Sequence, residues 1–128
     1  MTKTFRLLKL TLLLTVLAVV LGAFLPPPPT YSAVPLPTTT VLVPKAGATL
    51  SGTTYLDAAA PNATTVEYLL SGGSYSNQVI GTAFPSYYGW LFDWNSTTVP
   101  NGTYTLRTEA FNSTGHAFSP SVSFTVNN

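Results

Sequence analysis

From Thr40 to the end of the chain, apolar and polar residues alternate with a period close to two, the spacing at which successive side chains of a strand point to opposite faces. Val41 and Val43 open the pattern. Ala48, Leu50, Gly52, Thr54, Leu56 and Ala58 then read as one face of a long strand, with Thr49, Ser51, Thr53, Tyr55 and Asp57 on the other. Val66, Tyr68 and Leu70 alternate with Glu67 and Ser71. Gly72-Gly73 and the polar tract to Asn77 read as a turn, and residues 78–84 as a fourth strand. Two more strands fall around Trp90 to Trp94 and Tyr104 to Ala110, and Val122, Phe124 and Val126 mark a last one. About seven short strands with frequent turn signals predict an all-β, two-sheet antiparallel sandwich over residues 41–128.

The segment GWLFDWNSTTVPNGTYTLRTEA carries the heaviest apolar load. Trp90, Phe92 and Trp94 share one strand face, and each ring can bury ~150–250 Å². Val99-Pro100-Asn101-Gly102 has the residues of a tight corner, because proline fixes φ and Asn-Gly tolerates positive φ. Tyr104 then opens a strand whose inward set is Tyr104, Leu106, Thr108 and Ala110, with Thr105, Arg107, Glu109 and Phe111 outward. Trp94 and Tyr104 are therefore expected in the core, Tyr104 in the manner of the tyrosine corner of Greek-key sandwiches.

Ser51-Gly52 with Leu56-Asp57-Ala58, Val66-Glu67-Tyr68, Gly89-Trp90, Trp94-Asn95-Ser96-Thr97 and Asn101-Gly102-Thr103-Tyr104-Thr105-Leu106, leading to Ala110 and Gly115, resemble the bacterial immunoglobulin-like domains. The resemblance runs from Val41 to Val126 and implies an immunoglobulin-like Greek-key sandwich. It also implies the roles of such modules in secreted and cell-envelope proteins: spacers, adhesion units or accessories to enzymes. Trp94 is followed by Asn95 and Ser96 where the family commonly has Asp and Thr, so the carboxylate cap implied for that corner is missing.

Composition changes the picture at the N-terminus. Lys3, Arg6 and Lys9 precede an uncharged apolar run from Leu10 to Leu25, the layout of a secretory signal. The alternative is an uncleaved membrane anchor, although 16 residues fall short of the ~20 that span a bilayer. Residues 1–33 thus read as signal peptide or anchor plus a Pro-rich segment. Residues 34–40 read as a linker, extended by proline and without core side chains. Behind a removed leader, Lys45 and Arg107 face Asp57, Glu67, Asp93 and Glu109, a net charge of 2 − 4 = −2. That balance cannot neutralise a run of phosphates and disfavours nucleic acid as a partner. Cysteine is absent, which excludes disulfides, thiol nucleophiles and zinc-thiolate sites.

Candidate chemistry is sparse. His116 is the only histidine and sits in a turn; the four carboxylates are scattered, and Asp57 with Asp93 is the one conceivable glycosidase-like pair. No calcium loop and no Gly-x-Ser-x-Gly elbow occurs, so no catalytic residue, metal or cofactor is assigned. Tyr75, Phe84, Tyr87 and Tyr88 fall in expected loops. With Trp90, the three tyrosines make a candidate ligand-binding set; the competing reading is that loop tyrosines seal the end of the sandwich. Leu69 and Phe111, both read as outward, make a candidate protein-contact patch. Asn62, Asn95, Asn101 and Asn112 head N-x-[ST] triplets and are candidate glycosylation sites, although such residues crowd into turns for backbone reasons. The sequence thus predicts a non-enzymatic secreted or cell-envelope module that meets a protein or glycan partner. A small carbohydrate-binding module using the loop aromatics is the alternative.

Overall fold

The computed structural model describes residues 25–128. The leader expected in residues 1–33 lies outside the described residues as far as residue 24. Residues 25–32 carry no helix or strand, and Ala33–Asn128 form a separate compact unit. Among the described residues no helix is long and apolar enough to cross a membrane.

Ten strands build that unit: β1 Thr40–Val43, β2 Thr49–Leu50, β3 Thr53–Ala59, β4 Thr65–Gly72, β5 Tyr75–Thr82, β6 Phe84–Pro85, β7 Trp90–Asn95, β8 Gly102–Asn112, β9 Gly115–Phe118 and β10 Val122–Val126. One sheet has the order β1-β3-β7-β6; the other has β2-β10-β8-β4-β5, with β9 also on β8. All pairings are antiparallel except β2 with β10. The expected all-β sandwich is the observed fold.

The inner faces follow the alternation. Leu56, Ala58 and Trp94 of the four-stranded sheet meet Val66, Tyr68, Leu70, Tyr104, Leu106, Ala110, Phe124 and Val126 of the other. Trp94 meets Phe124 edge-on, with ring centroids 5.9 Å apart. Each large side chain fully buried here stabilises the fold by about 1.5–3 kcal/mol, and such burial carries the domain without a disulfide. The phenol of Tyr68 donates to the Trp90 carbonyl at 2.7 Å, joining the two sheets through an otherwise apolar layer.

Along the backbone, the structure departs from the sequence reading in these places. The long strand expected through residues 48–58 is two strands in different sheets. Gly52, at φ +65°, lets the chain leave β2 and enter β3, and its carbonyl then accepts from Ser96 N–H at 2.9 Å. Tyr75 belongs to a strand, because Gly72 and Gly73 with positive φ make the hairpin turn tight enough for β5 to begin at once. Finally, residues 34–40 are not a bare spacer. Asn112 Nδ2 donates to the Pro35 carbonyl at 2.7 Å, Pro37 is fully buried, and Thr39 Oγ1 lies 2.6 Å from Thr108 Oγ1. An extended proline-rich segment keeps free carbonyls and apolar rings on its surface, and the sandwich takes up both.

Strand β5 is an uncharged edge, of the kind that invites pairing with another chain. Its two register shifts against β4 each place an extra residue on β5. Such bulges bend an edge strand and interrupt its ladder, which blunts the edge.

Candidate functional site

Each end of the sandwich is laced by side chains. At one end, Ser96 Oγ donates to Asn128 Oδ1 at 2.7 Å, Gly52 N–H donates to the same oxygen at 2.8 Å, and Asn101 Oδ1 accepts from Asn128 N–H at 2.9 Å. The opposite end collects the turn after β3, the β8–β9 turn and the β6–β7 hairpin. There Asn112 Nδ2 reaches both Pro35 and Asn62 carbonyls while its Oδ1 accepts from Thr114 and Gly115 N–H.

The β6–β7 hairpin carries the most open aromatics of the folded unit. Tyr87 is 98% exposed and Tyr88 79% exposed, and their rings pack edge-on with centroids 5.5 Å apart. Ser86 fastens the turn beneath them: its Oγ accepts from Tyr88 N–H at 3.1 Å and Gly89 N–H at 3.2 Å and donates to the Gly89 carbonyl at 2.9 Å. Gly89 has φ +150°, and a Cβ there would lie 2.3 Å from Asp57 Oδ1. The turn is thus seated against β3 in a way only glycine permits. These two tyrosines do not seal the sandwich; they stand clear of it.

The other members of the expected ligand set lie elsewhere. Tyr75 is half-buried beside Tyr104, edge-on at 6.2 Å, at the opposite end from Tyr87 and Tyr88. Trp90 is half-buried against the core, and its carbonyl holds Tyr68. Of the four, only Tyr87 and Tyr88 come together in the open.

The patch expected from Leu69 and Phe111 does not form. Leu69 is 5% exposed, set on the outer face between Val79 and Arg107, whose side chains flank it. Phe111 pairs with Thr65, four residues along β4, and stacks on His116 at 5.8 Å. His116 Nδ1 lies 2.7 Å from Glu109 Oε1, so the lone histidine has a carboxylate partner that sequence separation concealed. The Arg107 guanidinium rests 4.2 Å over the Phe118 ring.

The four asparagine triplets differ. Asn101 and Asn112 commit their amide nitrogens, Asn101 to the Asn128 carbonyl and Asn112 as above. Asn95 uses its Oδ1 to accept from Thr97 N–H and Oγ–H, capping the short 3-10 helix Ser96–Thr98. The amide does there what the missing carboxylate was expected to do. Asn62 is exposed in the left-handed region at φ +63°. The amide nitrogens of Asn62 and Asn95 have no hydrogen-bond partner among the described residues.

Sequence reasoning named Asp57 and Asp93 as a conceivable pair of outward residues but passed over Tyr55 and the rest of the outer face of the four-stranded sheet. In register, Val43, Asp57, Leu91 and Phe84 form one row across β1, β3, β7 and β6, and Tyr55 with Asp93 forms the next row. Asp57 and Asp93 are therefore diagonal neighbours. Tyr55 is 60% exposed between them, and Asp57 Oδ1 is shielded without a partner. Burial first, then the Asp57 charge, pushes the phenol of Tyr68 far above the ordinary tyrosine range. The signal available in the sequence was an aromatic at an outward strand position two residues before an aspartate.

Known proteins bear on this geometry. Residues 37–107, more than half of the chain, match the family described as bacterial Ig domain. The chain belongs to that family. The Ig domain resembles, at 18% identity and a TM-score of 0.56, part of the endo-β-1,4-mannanase from Thermotoga petrophila, over 76% of this chain and 21% of that one. An engineered protein matches at 19% identity and a TM-score of 0.52, over 75% of this chain and 21% of that one. The fibronectin(III)-like modules of Clostridium thermocellum CbhA align at 18% identity and a TM-score of 0.48, over 70% of this chain and 93% of that one. The Ig domain thus spans about a fifth of the first two structures, and likeness at that identity concerns the fold. No curated protein matches the sequence.

Proposed function

We propose that this Ig domain is a non-catalytic module of the cell surface or the secreted space, used for adhesion or spacing through contact with a protein partner. Membership of the bacterial Ig family supports the module reading. The observation that carries the contact is the Tyr87–Tyr88 pair, held out in solvent on a turn that Ser86 fastens. Tyrosine offers a large amphipathic surface with few rotatable bonds, and a rigid mount leaves little entropy to be lost on docking. The leader would deliver the chain to the envelope or beyond, with membrane attachment only through that N-terminal segment where it is retained. In this reading the partner is a protein, in the second reading below a glycan, and in neither a nucleic acid.

A second reading, a small carbohydrate-binding module, is favoured by the edge-on geometry of the same pair, which leaves a ring face open for a sugar to stack on. Cell-adhesion and glycan-array measurements on the full-length chain and its Tyr87→Ala and Tyr88→Ala variants separate the two. Adhesion that drops in both variants without any array signal supports the protein-contact reading. Array binding lost in both variants supports the sugar reading. Adhesion and array profiles indifferent to both substitutions overturn the role given to the pair. Fractionation of the native host, with an intact mass of the recovered chain, tests placement and the fate of the leader together.

A further inference from the structure

We infer that the outer face of the four-stranded sheet is a docking surface for an arginine-bearing extended segment of a partner protein, with the guanidinium over Tyr55 and between Asp57 and Asp93. The inference rests on the protein-contact reading but uses a surface distinct from Tyr87 and Tyr88.

The register fixes the arrangement. Tyr55 lies directly opposite Asp93 and two residues along β3 from Asp57. Side chains opposite one another on a sheet stand about 5 Å apart and diagonal ones about 7 Å apart, so both carboxylates flank one exposed ring. Alternation turns all three outward, because Leu56, Ala58 and Trp94 point into the core.

Charge decides what fits. Two like charges at diagonal spacing repel, and no described cation forms an ion pair with either carboxylate. Arg107 is on the outer face of the other sheet over Phe118, Lys45 makes no ion pair, and the only described ion pair is His116 with Glu109. An incoming guanidinium relieves the repulsion, stacks on the phenol ring and offers planar N–H donors to both carboxylates. Lysine would bring the charge without the plane. A neutral sugar needs donors as well as acceptors around the ring, and the ionised carboxylates beside Tyr55 only accept. Leu91 and Phe84 on one side of Asp57, and Val43 on the other, are apolar positions of the same row on which the aliphatic parts of an extended segment can lie.

The test uses the full-length chain and three fluorescent octapeptides: alternating arginine and threonine, the same with citrulline for arginine, and the same with lysine. Anisotropy titrations at moderate salt are expected to give at least tenfold tighter binding to the arginine peptide than to its citrulline counterpart. Lysine should fall between them. Asp93→Asn and Tyr55→Ala should each weaken the arginine peptide by fivefold or more, while Glu67→Gln on the other sheet leaves it unchanged. Unfolding curves confirm that each variant is folded. Equal affinity for arginine and citrulline peptides, equal loss in Glu67→Gln, or no binding at all overturns the inference, as does a neutral hexasaccharide that competes through Tyr55. Those outcomes leave Tyr87 and Tyr88 untouched. Failure of the adhesion assay at that pair, conversely, does not alter the peptide result.

Discussion

The hydroxyl of Tyr104 donates to the carbonyl of Pro100 across 2.7 Å, tying the first residues of β8 to the corner that precedes them. The ring is buried against Phe124, with centroids 6.1 Å apart, and only the oxygen reaches the corner. Tyr104→Phe keeps the packing and strands the carbonyl. We expect a loss of about 1–2 kcal/mol, read as a lower urea midpoint with an unchanged m-value.

Gly81 lies under the ring of Phe92, where a Cβ would come within 2.1 Å of Cζ. Phe92 is itself stacked on Tyr68 at 5.9 Å, so its ring must give up that packing to make room. Gly81→Ala should therefore destabilise by about 1–3 kcal/mol despite the higher strand propensity of alanine. The double variant Gly81→Ala with Phe92→Leu should recover part of that loss, a coupling measurable in a thermodynamic cycle.

The raised Tyr68 phenol gives a pH dependence of known sign. Its proton is kept in the folded state after the unfolded chain, titrating near the ordinary value of about 10, has released it. Stability from this group is complete below about pH 10 and declines as pH rises above it, by up to about 1.4 kcal/mol per pH unit. Tyr68→Phe should be less stable than wild type at neutral pH, through the lost bond to Trp90. Its alkaline decline should be shallower, as read from urea unfolding at a series of pH values.

Asn112 is a structural residue. Removing its amide in Asn112→Ala frees the Pro35 and Asn62 carbonyls and the N–H groups of Thr114 and Gly115, at an expected cost of about 1–3 kcal/mol. Where a host glycosylates N-x-[ST] triplets, peptide mass mapping should find glycan on Asn62 and Asn95, and Asn101 and Asn112 unmodified. Their nitrogens are already in use.

The inward set Tyr104, Leu106, Thr108 and Ala110 was readable because a strand's side chains alternate whatever it pairs with, and burial needs no further information. The β8 corner was readable for a similar reason, since proline, Asn-Gly and tyrosine act over four or five residues. Leu69 shows the limit of such reading. Alternation assigned it the outer face, where it is, but its burial there depends on Val79 and Arg107, brought beside it by pairings that period two cannot specify. The division of one apparent strand at Gly52 was hidden in the same way, because a chain that changes sheets keeps its alternation.

By itself, the sequence determined an all-β domain over residues 41–128, the identity of its core faces and its dependence on aromatic burial in place of disulfides, all consequences of local periodicity and composition. Only the tertiary structure decided which outward residues become neighbours. It drew Asp57, Asp93 and Tyr55 together, parted Tyr75 from Tyr87 and Tyr88, and joined Pro35 to Asn112. Register and sheet packing are set by the whole set of strands at once, and a surface composed of many strands exists only after they have been paired.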